Sequence, residues 1–249
     1  MSRTYTTPGG TIYTLFEDMT KQPHLLIAGA TGSGKSVVVN GIIATLLRSC
    51  TPASAQFILI DPKRVELSAY RRLPHTLYYA SEPKEFLPAL ALAQRICDTR
   101  YAEMQNRHAK TYSGSDVYVI IDEWADLYLT QGRPVKAMIQ RLAQIGRASK
   151  VHVILCTQTP IAKVLPTEIK CNFDARVGLR TRSAQDSRNI IGYAGLETLP
   201  RYGQGIYMTP EEDSLYNIPY IRPDELDSLL RYWRNEARPR LFRRRGMTA

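Results

Sequence analysis

Gly29-Ala30-Thr31-Gly32-Ser33-Gly34-Lys35-Ser36 is the stretch whose reading decides the rest. Its spacing, G-x-x-x-x-G-K-S, is that of a Walker A phosphate loop. An apolar run, Leu25-Leu26-Ile27-Ala28, leads into it, and a helix-like run from Val37 to Leu47 leaves it. Strand, glycine-rich turn and helix are the context this motif requires. The glycines let backbone N–H groups turn inward around a pyrophosphate, and the helix N-terminus adds its positive end. Residues Gly29, Ala30, Thr31, Gly32, Ser33, Gly34, Lys35 and Ser36 are therefore expected to hold ATP. Lys35 would reach the β- and γ-phosphates, and the Ser36 hydroxyl would take one position on Mg²⁺. A turn that binds nothing is the plain alternative, and the agreement of motif and flanks argues against it.

The chain has 249 residues, enough for one large domain or two small ones with a core that needs no disulfides. Its formal charge is +10. That balance favours a polyanionic partner, nucleic acid or an anionic membrane surface, over mere solubility. Cys50, Cys97, Cys156 and Cys171 are widely spaced, with no C-x-x-C pair. They read as reduced, mostly buried thiols of a cytoplasmic protein and not as a zinc site. Residues 1–7 lack the apolar segment of a signal peptide, and no apolar run approaches the roughly 20 residues of a membrane span. Direct membrane insertion is not expected; any membrane link would come through a partner.

Outward from the loop, apolar runs alternate with helical periodicity. Thr11–Leu15 is a candidate edge strand. Phe57–Ile60, Val117–Ile121, Val151–Leu155 and Arg176–Leu179 are expected as buried strands. Residues 84–108 and 134–149 have the 3.6-residue period of amphipathic helices. Pro223-Asp224-Glu225 opens a last helix, with proline and acids in its first turn. This alternation predicts an α/β fold, mainly parallel, with helices on both faces of the sheet.

A phosphate loop needs an acidic partner from a neighbouring strand. Val119-Ile120-Ile121-Asp122-Glu123 supplies one, ending at the strand edge where α/β sheets bind ligands. Asp122 is expected to hold Mg²⁺ through water, and Glu123 to polarise the attacking water. The alternative is that the acids merely cap the next helix. Leu155-Cys156-Thr157-Gln158 ends at the same edge, which places Gln158 to sense the γ-phosphate or orient water; otherwise it is a solvated loop amide.

Taken together, these segments resemble the motor domain of the FtsK/SpoIIIE DNA translocases. The resemblance rests on His24 to Ser36, on Ile58-Leu59-Ile60-Asp61-Pro62-Lys63 with Glu66-Leu67, and on Ile121-Asp122-Glu123-Trp124-Ala125-Asp126-Leu127. It is carried further by Gly146-Arg147-Ala148, Thr157-Gln158 and Asp186-Ser187-Arg188. It runs from about residue 10 to residue 237, with the motifs in the family's order. It implies a RecA-like P-loop ATPase working as a homo-oligomeric ring around double-stranded DNA, usually a hexamer, with a pentamer open. Residues 1–20 would be an extension, 21–237 the motor domain and 238–249 a basic tail.

The resemblance also assigns roles. Arg147 matches the arginine offered in trans to the neighbouring subunit's ATP, and Arg188 a position near the subunit boundary. The segments after Gln158 and around 181–186 match two pore loops, but this chain departs from the pattern there. Thr159 stands where the family usually has Arg, and Ala184 where Lys is expected; Lys163 and Arg182 are the candidate replacements for contacting DNA. The chain's size suggests a minimal motor from a mobile element, plasmid or phage, recruited by a membrane or portal partner. Two other readings remain: a type VII secretion-like ATPase that moves protein, and a DNA-binding ATP switch that does not translocate.

Overall fold

A computed structural model describes residues 5–7, 10–12 and 21–236 of the chain. The basic tail at 238–249 lies outside the described residues, as does most of the 1–20 extension. Tyr5–Thr7 (β1) and Gly10–Ile12 (β2) pair antiparallel as a two-stranded sheet of their own, so the expected strand near Thr11 does not edge the main sheet.

The main sheet has eight strands. They are His24–Ala28 (β3), Ala55–Ile60 (β4), Thr76–Ala80 (β5), Asp116–Ile121 (β6), Val151–Thr157 (β7), Ala175–Leu179 (β8), Gln204–Met208 (β9) and Asp213–Asn217 (β10). Their spatial order is β5-β4-β6-β7-β3-β8-β9-β10. From β5 to β8 every pairing is parallel; β9 runs antiparallel to β8, and β10 to β9. All five residues of β3 and all seven of β7 are buried, because helices cover both faces of the parallel part.

Side chains alternate across each strand, so neighbours in sequence feed opposite cores. Leu25, Ile27, Leu59 and Val177 pack under Lys35–Ser49 (α1) and against Leu230 of Pro223–Glu236 (α7). Leu26, Ile58, Val119 and Val153 face Pro83–Asn106 (α2), Trp124–Gln131 (α3) and Arg133–Ser149 (α4). Thr167–Lys170 (α5) and Ala184–Ile191 (α6) bracket β8 in sequence. The expected buried strands and long helices are all present, with ends shifted by a few residues. β5, α3 and the β9–β10 hairpin are additions. They are short or half-exposed, Leu77 and Leu215 being exposed, so they lack the unbroken apolar run that reveals a central strand.

One close approach fixes how α4 returns to the sheet. A Cβ on Gly146 would lie 2.2 Å from the Val151 carbonyl oxygen and 2.8 Å from His24 Cε1. Lys150, in the left-handed region at φ 54°, then turns the chain straight into β7. Gly146→Ala should therefore destabilise the fold by about 1–3 kcal/mol, since the obstruction is backbone that cannot swing away. Alanine's helix advantage of about 1 kcal/mol offsets only part of this. Urea unfolding checks it; stability equal to the parent would show that the end of α4 can lift off β7.

Candidate active site

The phosphate loop spans the turn from β3 into α1. Gly32 and Gly34 have φ of +76° and +102°, a region in which any side chain would be strained. Gly34 caps α1 without a side-chain bond, and the first turn of α1 carries no acid. The N–H groups at this helix start are therefore not neutralised from within the helix, which suits an incoming anion. Ala30 N–H donates to the Arg180 carbonyl (2.8 Å) and Gly29 N–H to the Thr157 carbonyl (3.3 Å), tying the loop to the strand ends on either side.

Register brings the other groups to the same edge. Ala28 lies opposite Thr157, and Ile121 opposite Leu155, so the ends of β3, β7 and β6 line up. Lys35 is buried, and its Nζ donates to Asp122 Oδ1 (2.5 Å) and to the Asp122 backbone carbonyl (2.7 Å). Burial disfavours the ammonium, but the negative groups around it, the Asp122 and Glu123 carboxylates among them, outweigh this and raise its pKa. Beside the pair, burial pushes the Cys156 thiol well up, so it stays neutral.

Glu123 is buried at the N-cap of α3 and is held from several sides. Oε1 accepts from Thr157 Oγ1 (2.8 Å), Gln158 N–H (3.1 Å) and Ala125 N–H (3.4 Å). Oε2 accepts from Gln158 N–H (3.2 Å) and Lys63 Nζ (3.3 Å). The structure shows the cap, and the cap fixes the direction of the carboxylate, which leaves a chemical role open to it. The Gln158 side-chain oxygen accepts from Thr31 Oγ1 (2.9 Å). Thr31, Gln158 and Glu123 form one connected path from phosphate loop to carboxylate, through the side chain and then the backbone of Gln158.

Among the described residues, Asp122 Oδ2 and Ser33 Oγ are buried without a hydrogen-bond partner. An orphaned carboxylate oxygen on Asp122, together with the half-buried Ser36 that follows its partner Lys35 in sequence, is an all-oxygen set that fits a hard cation such as Mg²⁺.

Other expected site residues lie elsewhere. Arg147 is exposed at the end of α4, just before β7 begins. The seven residues of β7, at ~3.3 Å each, put roughly 20 Å between it and the nucleotide edge of its own subunit. Arg188 is exposed on α6. Thr159 and Lys163 follow β7, and Arg182 follows β8, on the same edge as the phosphate loop. Lys163 and Arg182 are exposed; Thr159 is half-buried, with its N–H on Thr157 Oγ1. The loop carrying Lys163 is tied down by Trp124 Nε1, which donates to the Val164 carbonyl (2.7 Å), and by a short contact from Asn189 Nδ2 to the Pro160 carbonyl.

Two neighbours of the loop carry no motif that could have revealed them. An Arg201 guanidinium nitrogen lies 3.7 Å from where a Cβ on Gly32 would be, and Ile218 Cδ1 lies 3.4 Å from that of Gly34. Their segments are joined by Ile218 N–H donating to the Gly203 carbonyl (2.9 Å).

The strand order, the phosphate loop and the acidic pair define a RecA-like P-loop ATPase fold. The family model described as FtsK/SpoIIIE matches residues 10–117 and 104–162, and the chain belongs to that family. The DNA translocase FtsK of Rickettsia prowazekii is 34% identical over 269 residues; these cover 90% of this chain and 36% of the relative's length. The chain therefore spans little more than a third of that relative. The conjugation coupling protein TcpA of pCW3, in a monomer form with ATPγS, superimposes with a TM-score of 0.77 at 22% identity. The match covers 92% of this chain and 69% of that one. The cytoplasmic domain of the type VII secretion ATPase EccC from Thermomonospora curvata follows at a TM-score of 0.68 and 23% identity, covering 85% and 28%. At these identities the two structures speak to the fold.

Lys35→Ala should have two separable effects. Nucleotide binding should be lost, and the nucleotide-free protein should lose about 3–5 kcal/mol, because a buried Asp122 is left without its counter-charge. Titration with a fluorescent ATP analogue and denaturant unfolding without nucleotide read the two. Unchanged unfolding would show that Asp122 finds another partner or water.

Proposed function

We propose that this chain hydrolyses ATP and uses the energy to move double-stranded DNA through a ring of identical subunits. The observation that carries the reading is the path from Thr31 through Gln158 to Glu123, beside the Lys35–Asp122 pair. A site that only binds ATP has no use for a buried carboxylate wired to the phosphate loop. Glu123 takes the proton of the attacking water, and Gln158 reports the γ-phosphate to it. Ser36 and Asp122 would hold Mg²⁺, which would supply positive charge to the phosphates. Lys35 shifts from Asp122 towards the β- and γ-phosphates when ATP enters.

Arg147 acts in trans. Its exposed place at the far end of β7 from its own phosphate loop supports service to a neighbour's nucleotide over its own, which would make the ring part of the chemistry. Arg188 lies near the same boundary. DNA passes the edge that carries Lys163, Thr159 and Arg182, and the charge of +10 favours such a partner. A hexamer is the expected ring, working in the cytoplasm and recruited by a membrane or portal protein. Among the described residues no helix is long and apolar enough to cross a membrane. The DNA translocases among the relatives support this cargo; the fold likeness to EccC keeps protein cargo as the second reading.

ATPase rate with and without duplex DNA, together with displacement of a triplex strand from linear DNA, tests the proposal. Stimulation and displacement are expected, with binding that tolerates any sequence and weakens with salt. Absence of both would remove DNA as the cargo. Glu123→Gln should retain ATP binding while turnover falls by two decades or more; parental turnover would remove Glu123 from the chemistry.

The trans role has its own measurement. Arg147→Ala should leave ATP affinity nearly intact and lower turnover by up to about 10³–10⁵-fold. Mixing Arg147→Ala with Glu123→Gln subunits should restore part of the activity, because some interfaces then pair an intact Glu123 with a neighbour's intact Arg147. No restoration in rings shown to be mixed by native mass would place the arginine's role within its own subunit.

A further inference from the structure

Lys63 sits on the turn after β4, in Asp61-Pro62-Lys63-Arg64. The turn is rigidly built. The buried Asp61 carboxylate accepts from Val65 N–H (3.3 Å), Leu67 N–H (3.0 Å) and Tyr79 Oη (3.3 Å). Arg64 takes a left-handed φ of 61° and pairs with Glu82 at 2.7 Å. From this platform the Lys63 side chain, 41% exposed, reaches a Glu123 side chain that is 2% exposed. Its Nζ is 3.3 Å from Glu123 Oε2 and 3.8 Å from Asp126 Oδ2, one turn into α3.

The donors on Glu123 are not alike. Gln158 N–H and Ala125 N–H are backbone groups fixed by the end of β7 and the first turn of α3, and Thr157 Oγ1 sits on a short, buried side chain. Lys63 is the one donor on a flexible, half-exposed stem. It also occupies Oε2, the oxygen with fewer fixed partners. With Gln158 N–H already on Oε2, the ammonium takes the remaining lone pair and covers the side of that oxygen which a water would have to approach. Asp126 offers the same ammonium a second acceptor within reach, so Lys63 can leave Glu123 without losing a counter-charge.

We propose that Lys63 is a positioning residue that latches Glu123. When its ammonium rests on Oε2 the carboxylate is held out of use; when it moves wholly to Asp126, Oε2 is free to take a water proton. The proposal rests on Glu123 being the general base, and it adds that this base is regulated from the Asp61–Leu67 turn. Lys63 and Asp126 then act as opposite settings of one device.

The test is a double-mutant cycle on the full chain, reading kcat and KM for ATP without DNA. Lys63→Met should raise basal kcat about two- to fivefold, the scale of one partly exposed ion pair, with KM unchanged. Lys63→Arg, which keeps the charge, should stay near the parent. Asp126→Asn should lower kcat in the parent, since the alternative seat is gone, and have no effect in the Lys63→Met background. Lys63→Gln repeats the charge removal should the methionine variant melt early. Basal kcat unchanged or lower in both neutral variants, or an Asp126→Asn effect equal in the two backgrounds, would overturn the latch. Glu123→Gln run alongside separates the two ideas. If it turns over like the parent, the base assignment fails; if it is inactive while the Lys63 variants behave as the parent, the latch alone fails.

Discussion

The Lys35–Asp122 pair is the interaction on which the site depends. It joins the first turn of α1 to the end of β6 across the intervening β7, and it is almost wholly out of water. Taking two such charges from water costs about as much as their attraction returns, so the pair adds little net stability. What it does is fix a geometry. The loop is held closed on the sheet edge by a cation whose better partner is a phosphate. On the proposed reading, arriving ATP would substitute one anion for another on Lys35, and the released Asp122 would be free to hold a cation.

The rest of the edge is arranged by strand order. β3 lies between β7 and β8, and β6 lies beyond β7, so the phosphate loop has Gln158 on one flank and Arg180 on the other. The acidic pair is one strand further out. Such spacing lets a single side chain bridge adjacent strand ends, as Gln158 does from Thr31 towards Glu123. Buried strands on both sides keep these distances fixed, since a shift of one residue would turn the two faces of β3 inside out.

The phosphate loop was legible because its glycines, lysine and serine must stand at fixed intervals to surround phosphate, and Asp122-Glu123 because a buried strand had to end in acid. The central strands announced themselves as apolar runs. The edges did not: β10 is polar at Asp213, Ser214 and Asn217, and β5, although rich in Tyr, lies at the rim with only Ala80 buried, so neither reads as a central strand. Pairings between distant residues were also invisible. Nothing in the sequence joins Thr31 to Gln158, Lys63 to Glu123 or Arg201 to Gly32, since each depends on which strand ends become neighbours. The reading of Glu123 as either cap or base posed a choice that the fold does not force, because the cap uses Oε1 and leaves the carboxylate held in one direction.

The placement of β3 also governs when the site can exist during synthesis. Its neighbours in the sheet are β7 and β8, and neither is adjacent to it in sequence. The strand bearing the phosphate loop has no partner in the sheet until β7, ending at Thr157, has been made, and its second neighbour follows only at Leu179. At ordinary elongation rates the wait for β7 is roughly 6–26 s. Over this interval an apolar segment, Leu25 to Ala28, is unpaired beside a loop that binds phosphate only when complete. Closure of so long a contact is slow by its nature. The nascent chain is therefore most open to aggregation, and most in need of chaperone cover, between the synthesis of β3 and that of β7.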